Sequence, residues 1–159
     1  KQNGLKPIAN LSGHSLGQYT IHAGRSIPNI WSVGGFTLAE NTAYACEPFV
    51  TTEKGGGFVR NGRIKNIFAL NSRKKTKNDE ADRLLDYIWE KFNMLPFALR
   101  WITKDWEEKK ARELLEQLVN KKAVQAYPVL IEINEQRVAQ AEHTFIPNEN
   151  GVTVTTISQ

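Results

Sequence analysis

The chain contains 159 residues, of which 40% are hydrophobic and 24% are charged, a balance typical of a globular protein. This length allows one domain with a hydrophobic core, or a smaller domain that carries an insertion. No apolar run approaches the roughly 20 residues that a membrane-spanning helix needs, so we expect no membrane partner.

Charge and cysteine content narrow the class of protein further. The net charge of +4 is only mildly basic, and its one dense run (Arg73, Lys74, Lys75 and Lys77) is interpreted as a solvated loop rather than a nucleic-acid-binding patch. The single cysteine, Cys46, excludes an internal disulfide and fits a reducing compartment. Because the chain begins at Lys1 without an initiator methionine, we expect it to be a segment of a longer protein.

The first seventy or so residues are predicted to be rich in strands and punctuated by glycine. Residues 43–51 form an apolar run of strand length in which Cys46 is expected to be buried, and residues 64–71 can form another strand. Between them, Gly55, Gly56 and Gly57 predict a turn or loop. This stretch lacks the Gly-Lys-Ser/Thr ending and the following helix that a phosphate-binding loop requires.

From residue 78 onwards the hydrophobic pattern has the period of a helix. Leu85, Ile88, Trp89 and Phe92 lie at i, i+3, i+4 and i+7, which predicts an amphipathic helix. After Pro96, residues 97–102 are expected to form a short second helix. A third helix is predicted to begin with a capping box from Asp105 to Glu108, and its buried stripe is expected to be Leu114, Leu115 and Leu118.

The last part of the chain returns to strand patterns. Alternation at Val129, Ile131 and Ile133, a turn at residues 134–136, a returning strand over 137–146 and a final strand over 152–157 predict an antiparallel meander. Because a helical block separates strands that must pair with each other, the pattern indicates an insertion. The predicted fold class is therefore α+β, with an antiparallel sheet interrupted by a helical insertion.

The polar residues of these strands suggest a chemical site. A carboxylate within an apolar strand, as at Glu47 and Glu142, is costly to bury unless it is paired or bound to a metal. All three histidines lie in two short polar motifs, and His143 is expected to face away from its neighbour Glu142 because side chains alternate along a strand. Two glutamates and a histidine suit a Mn, Fe, Co or Zn site. Salt-bridged glutamates and loop histidines without a metal are an equally good interpretation of these residues.

Six motifs resemble those of the type 2 methionine aminopeptidases, which are metallopeptidases of the pita-bread fold. They occur in that family's order and span nearly the whole chain. The matching stretches are Asn10-Leu11-Ser12-Gly13-His14-Ser15, Ile21-His22-Ala23-Gly24, Glu47-Pro48-Phe49, Leu95-Pro96-Phe97, Ala126-Tyr127-Pro128-Val129-Leu130 and Gln140-Ala141-Glu142-His143-Thr144. The resemblance implies the C-terminal half of a pita-bread domain, made of residues 1–77 and 126–159, with a winged-helix-like insertion over residues 78–125.

The resemblance also implies roles for individual residues. His14, Glu47 and Glu142 match metal ligands, and Glu47 also matches the general base that takes a proton from the bridging water. His22 matches a histidine that hydrogen-bonds near the scissile peptide and stabilises the tetrahedral intermediate. The positions that line the methionine side-chain pocket are Ile21, Phe49 and Tyr127, and His143 matches no site residue.

The family's intact site holds two divalent ions, such as Co, Mn, Fe or Zn, with five protein ligands. Two aspartate ligands belong to an N-terminal half that this chain does not contain, and the aspartates at 79, 82, 86 and 105 lie in the predicted insertion. The resemblance therefore implies a cytoplasmic enzyme that removes N-terminal methionine from nascent peptides. We expect it to be inactive until it is joined by the N-terminal half, either in the same polypeptide or as a separate subunit.

Two alternatives remain open at this point. Some pita-bread relatives have lost their metal ligands, so the chain could instead be a non-catalytic module that binds RNA or the ribosome. A folded fragment with no function of its own is the third possibility.

Overall fold

The computed structural model describes residues 3–157, and it divides them into two compact units. The first unit runs to Arg60 and resumes at Leu130, and the second is Asn61–Val129. The predicted insertion over residues 78–125 lies inside the second unit, and its assignment as an inserted winged-helix-like block stays a prediction. Within residues 3–157 no helix is both long and apolar enough to cross a membrane.

Eight strands of the first unit form two antiparallel sheets. The five-stranded sheet has the order β11-β10-β4-β2-β3, and the three-stranded sheet has the order β1-β5-β9. Their bounds are β1 (Leu5–Pro7), β2 (Ser12–Ser15), β3 (Ser26–Pro28), β4 (Tyr44–Cys46), β5 (Phe49–Thr52), β9 (Val138–Gln140), β10 (His143–Asn148) and β11 (Gly151–Val154). The predicted strand over residues 43–51 is therefore two strands, because Glu47 and Pro48 interrupt it.

The second unit packs three helices on a sheet of order β7-β6-β8. These elements are β6 (Val59–Leu70), α1 (Asp79–Phe92), β7 (Phe97–Ala98), α2 (Leu99–Ile102), α3 (Glu108–Asn120) and β8 (Val124–Glu132). Strands β6 and β8 carry the boundaries between the two units. The short second helix predicted over residues 97–102 is wrong in its first two residues, which pair with β6 as a strand.

The two long helices bury the predicted apolar stripes, but the N-cap of α3 differs from the prediction. In α1, Leu85 and Ile88 are buried in the core of the second unit, and the Asn78 side chain accepts hydrogen bonds from the first turn. In α3, the predicted cap at Asp105 is wrong. The carboxylate of Glu107 accepts from the backbone N–H groups of residues 109 and 110 instead, whereas Asp105 accepts a hydrogen bond from the Tyr87 hydroxyl at 2.6 Å.

The predicted meander at the end of the chain is also wrong. Strand β8 lies in the sheet of the second unit, β9 pairs with β5, and only β10 and β11 form a hairpin. The alternation of apolar residues indicated strands correctly, but it carries no information about which distant strand supplies the pairing partner.

Buried apolar side chains are concentrated in the second unit. Of the hydrophobic residues that are buried among residues 3–157, the first unit contributes only Ile8, Tyr44 and Ala45. The same unit exposes many large apolar side chains, and Trp31 and Val33 are each 86% exposed. Backbone pairing therefore accounts for more of the first unit's internal structure than apolar packing does.

A buried carboxylate organises the glycine loop of the first unit. Glu132 is 2% exposed. Its Oε1 accepts from the N–H groups of Gly56 and Gly57 at 2.5 and 3.0 Å, and its Oε2 accepts from those of Asn134 and Gln136 at 2.8 and 3.2 Å. The glycine loop, predicted as a turn or loop without a phosphate-binding motif, thus binds the chain's own carboxylate.

Four backbone donors also set the charge state of this side chain. Burial raises the pKa of the Glu132 carboxyl, but hydrogen bonds from the four N–H groups lower it by more, so the net pKa lies below its usual range. A carboxyl with a depressed pKa stabilises the fold above its unfolded pKa, and that stabilisation is lost as the pH falls through the native pKa.

We predict that Glu132→Gln lowers the free energy of unfolding at pH 7, because the amide places an N–H₂ group against N–H donors. The difference from the native chain should shrink as the pH falls below the usual glutamate range. Urea denaturation at a series of pH values measures it, with Glu135→Gln as the control because Glu135 is an exposed partner of Arg60. Equal effects of the two substitutions would contradict the role of Glu132.

We also predict that Gly13→Ala destabilises the pairing of β2 with β4. A Cβ atom at Gly13 would lie 2.2 Å from the Ala45 carbonyl oxygen, a backbone atom that cannot rotate away. Overpacking of this kind costs about 1–3 kcal/mol or more, and urea denaturation measures the loss. Gly35→Ala is the matched control, since a Cβ there meets nothing within 4 Å; a loss as large as that of Gly13→Ala would sink the prediction.

Candidate functional site

The candidate site lies where one antiparallel ladder is interrupted on both strands. Cys46 pairs with His143 in the β4–β10 ladder, and Phe49 pairs with Gln140 in the β5–β9 ladder. Both pairs belong to a single register, and in that register Glu47 is opposite Glu142. The interruption retains one backbone hydrogen bond, from the Ala141 N–H to the Pro48 carbonyl at 3.2 Å.

Glu47 is the centre of the side-chain contacts at this interruption. Its Oε1 lies 2.9 Å from Nε2 of His14, and its Oε2 accepts a hydrogen bond from Nε2 of Gln140 at 3.1 Å. The side chains of His14 and Glu47 are 11% and 15% exposed. Each oxygen of this largely buried carboxylate therefore has a polar partner.

The electrostatics of Glu47 reflect the unfavourable position of its carboxylate. Burial raises the pKa of Glu47, and the negative charge of Glu142 raises it further. His14 and Gln140 act in the opposite direction, but the net pKa remains above its usual range. The fold thus holds two carboxylates close enough to repel each other.

The two histidines of the first motif lie against one another. The rings of His14 and His22 are 4.0 Å apart between centroids and are tilted by 58°. Burial and, next, the charge of His14 lower the pKa of His22, which favours the neutral imidazole there. His14 is placed by β2, which pairs with β4 so that His14 is opposite Ala45.

The predicted pocket residues are distributed over both units. Ile21 is half-buried in the loop between β2 and β3, and Phe49 is half-buried at the start of β5. Tyr127 lies on β8 in the second unit, and burial raises the pKa of its hydroxyl. The common pocket of these three side chains therefore stays a prediction.

His143 and Cys46 form a cross-strand pair outside the polar cluster. Nδ1 of His143 lies 2.9 Å from the Thr156 hydroxyl, which gives this imidazole a partner of its own. The predicted burial of Cys46 is wrong, because Cys46 is exposed at the end of β4 while Tyr44 and Ala45 are buried.

Two expectations for Glu142 also need correction. It was predicted within a continuous strand as a buried carboxylate, but it lies between β9 and β10 and is exposed. The physical reason is that the strand is interrupted opposite Glu47-Pro48, where a proline has no N–H to donate to the ladder.

Three side chains that hold the Glu47 carboxylate or nearby backbone segments of the first unit in place were not singled out in the sequence. Gln140 holds Glu47, and Glu132 holds the glycine loop. Asn29 donates to the carbonyls of Ile8 and Phe49 at 2.9 and 2.6 Å, and its own oxygen accepts from the Phe49 N–H at 3.3 Å. Asn29 and Gln140 are amides, which are common on surfaces, so nothing in the linear sequence distinguishes them from others. Glu132 is a carboxylate within the apolar run at residues 129–133, and that signal could have identified it.

The side chains at the site are of the chemical types that bind metal ions, but too few of them are arranged around one point. Imidazole and carboxylate donors suit Zn, Mn, Fe or Co, and His14, Glu47 and Glu142 supply both kinds. Among residues 3–157, however, no three His, Cys, Asp or Glu side chains are arranged so that they could hold an ion. His14 and Glu47 contact each other directly, so binding an ion would require this pair to separate.

The sequence is similar to methionine aminopeptidases of archaea. It is 39% identical over 153 residues to that of Methanocaldococcus jannaschii, covering 96% of this chain and 50% of the relative. The corresponding values are 38% over 160 residues for Saccharolobus solfataricus (99% and 52%) and 38% over 154 residues for Thermococcus kodakarensis (96% and 52%). The chain thus spans about half the length of the curated relatives it matches. No protein-family profile matches it.

The fold is similar to that of a solved structure of a thermophilic Arx1. The two superimpose with a TM-score of 0.79 at 18% sequence identity, over 95% of this chain and 41% of the other. At this identity the likeness concerns the fold alone. It confirms the predicted class, an α+β chain that forms part of a pita-bread fold.

We predict that Glu142→Gln stabilises the metal-free chain at neutral pH. The negative charge of Glu142 acts unfavourably on the Glu47 carboxylate, and interactions between charges at a solvent-exposed position contribute about 0.2–1 kcal/mol. Urea denaturation at pH 7 should therefore show a rise of that size in the free energy of unfolding. Glu149→Gln serves as the control because Glu149 is exposed in the turn before β11. A loss of stability on Glu142→Gln would refute the repulsion.

Proposed function

Because the chain belongs to the methionine aminopeptidase family over the half of its relatives' length that it spans, we propose that it supplies one side of an aminopeptidase site. The reaction is hydrolysis of the first peptide bond of a nascent chain with N-terminal methionine. The observation that carries the proposal is the facing pair Glu47 and Glu142 with His14 on Glu47.

Two glutamates that face each other are electrostatically unfavourable in the metal-free fold, which supports a role for their charge. The repulsion raises the free energy of the metal-free fold, and a cation between the carboxylates would remove it. His14, Glu47 and Glu142 would hold divalent metal in the complete site, where such a metal would polarise the substrate carbonyl and activate a water. Mn, Co, Fe and Zn are the candidate ions, because they accept both imidazole and carboxylate ligands.

The remaining steps are assigned to the chain's own side chains. Glu47 takes a proton on a carboxylate oxygen, and Gln140 keeps that carboxylate oriented through its hydrogen bond to Oε2. His22, beside His14, donates a hydrogen bond from its ring to the oxygen on which negative charge develops. Ile21, Phe49 and Tyr127 form apolar walls for the unbranched methionine side chain.

The site requires further ligands and a partner surface. We propose that two aspartates from the N-terminal half of the family's fold complete the metal centre, whether that half is in the same polypeptide or a separate subunit. The exposed apolar side chains of the first unit, such as Trp31 and Val33, support a partner on this unit. We further propose that residues 78–125 are the winged-helix-like insertion and that the enzyme acts in the cytoplasm.

We predict that this chain, mixed with the N-terminal half of the Methanocaldococcus jannaschii relative, hydrolyses a Met-Ala-X peptide in the presence of Mn, Co or Fe. Released methionine is measured by a coupled amino-acid assay. Glu47→Gln should reduce kcat by about 10²–10⁴-fold as a lost general base, and His22→Ala by about 10²–10³-fold as a lost hydrogen-bond donor.

The matched control is His143→Gln, which lies on the neighbouring strand and contacts Thr156 rather than Glu47. It should retain activity within about threefold, as expected for a surface substitution away from the reacting groups. If the mixed halves copurify and bind metal yet release no methionine, the peptidase function is wrong for this chain.

A second candidate function is binding to RNA or to the ribosome without catalysis. The excess of basic residues in the second unit favours it: this unit holds fifteen Lys and Arg residues and ten Asp and Glu residues. Uptake of metal by isothermal titration calorimetry separates the two candidates, since only the peptidase requires it.

A further inference from the structure

One side-chain amide of the first unit is inserted into a backbone ladder. Pro7 of β1 pairs with Val50 of β5, so the next pair in this register is Ile8 with Phe49. The two residues of a hydrogen-bonded antiparallel pair exchange two N–H···O bonds. The bond from the Ile8 N–H to the Phe49 carbonyl is formed, at 3.0 Å. The carboxamide of Asn29 takes the place of the other.

This carboxamide bridges the donor and the acceptor of the replaced bond. The Phe49 N–H donates to Oδ1 of Asn29 at 3.3 Å, and Nδ2 of Asn29 donates to the Ile8 carbonyl at 2.9 Å. Nδ2 also donates to the Phe49 carbonyl at 2.6 Å, so both donors of the –NH₂ group are used. Asn29 therefore binds both backbone polar groups of Phe49, an arrangement that we call the amide clamp.

The amide clamp connects two sheets beside the candidate site. Asn29 directly follows β3 of the five-stranded sheet, whereas Phe49 begins β5 of the three-stranded sheet. A cavity of about 200 Å³ lies next to the clamp, and Asn29, Glu47 and Pro48 are among the residues that line it. Because the segment before Phe49 borders this open space, hydrogen bonds rather than side-chain packing fix the position of the Phe49 backbone.

Glu47 and Phe49 are held by different amides. The Glu47 carboxylate contacts Nε2 of His14 at 2.9 Å and Nε2 of Gln140 at 3.1 Å. The clamp instead binds the backbone of Phe49, two residues further along the chain. Removing the Asn29 amide should therefore displace Phe49, whereas removing the Gln140 amide should release the Glu47 carboxylate.

We propose that Asn29 is a positioning residue that holds Phe49 as a wall of the methionine pocket and so sets the affinity and selectivity for the N-terminal side chain. The inference rests on the proposed peptidase function. It predicts an effect on substrate binding rather than on proton transfer, because the clamp does not contact the Glu47 carboxylate. A wall fixed at one distance favours an unbranched side chain over a branched one of similar size.

The test is steady-state kinetics of the complete chain mixed with the N-terminal half of the Methanocaldococcus jannaschii relative. Asn29→Ala should raise KM for Met-Ala-X about tenfold and leave kcat within about threefold, the pattern of a lost contact that substrate and transition state share equally. The kcat/KM preference for Met-Ala-X over Leu-Ala-X should also fall about tenfold, because a displaced wall leaves room for the branched side chain. Gln140→Ala should show the opposite division, with kcat reduced about tenfold or more and KM within about threefold.

The matched control is Asn10→Ala, which removes a similar clamp elsewhere in the first unit. Nδ2 of Asn10 donates to the Val59 carbonyl at 2.8 Å, and the Val59 N–H donates to Oδ1 of Asn10 at 2.9 Å. This variant should keep KM and kcat within about threefold of the native values. Hydrogen exchange of the Phe49 amide should accelerate in Asn29→Ala and not in Asn10→Ala.

Thermal unfolding identifies any variant that does not fold. If Asn29→Ala fails, Asn29→Asp replaces it, since that variant keeps the size and the acceptor of the side chain, loses both donors and should raise KM as well. A native KM in the folded Asn29 variant, or an equal rise of KM in Asn10→Ala, would overturn the role of Asn29 and leave the peptidase function standing. Failure of the native mixture to release methionine would instead refute the peptidase function, and the role of Asn29 with it.

Discussion

The structure of the first unit depends on one antiparallel register in which two glutamates face each other. That register joins β4 to β10 on one side of the interruption and β5 to β9 on the other. Pro48 has no backbone N–H to donate, so the antiparallel ladder is interrupted at the position of the two carboxylates. The same interruption assigns the strands to two sheets and brings His14, on β2, against Glu47. The arrangement proposed for function thus carries a local cost in stability.

The two units are stabilised in different ways. In the second, α1 and α3 bury apolar stripes against β6, and this packing is the usual source of stability in a small α+β unit. In the first, few apolar side chains are buried, and the connections come from strand pairing and from polar side chains that bind backbone groups. Asn29 and Glu132 act in this way at two separate loops. Packing of a second apolar surface against the exposed apolar side chains of this unit would therefore stabilise it.

The histidines and facing glutamates lie in a different unit from most of the basic residues. These side chains lie in the first unit, which carries six basic and seven acidic residues, whereas the second unit carries fifteen basic and ten acidic residues. Substitutions in one of these two sets therefore test one candidate function without changing the residues on which the other depends.

The sequence by itself determined the helices, the strand-rich segments and the identity of the polar residues. The stripe at Leu85 and Ile88 and that at Leu114, Leu115 and Leu118 are local patterns, because their helical spacing can be recognised in the sequence without knowledge of any distant contact. Motif resemblance also singled out His14, Glu47 and Glu142, because a motif is defined by residue types and spacings that the sequence shows directly. Only the tertiary structure decided that Glu47 is opposite Glu142, that Glu132 occupies the glycine loop and that Ala123 accepts hydrogen bonds from residues 71 and 72. Each of these contacts links positions more than 40 residues apart, and no local periodicity specifies which distant strands or loops will meet.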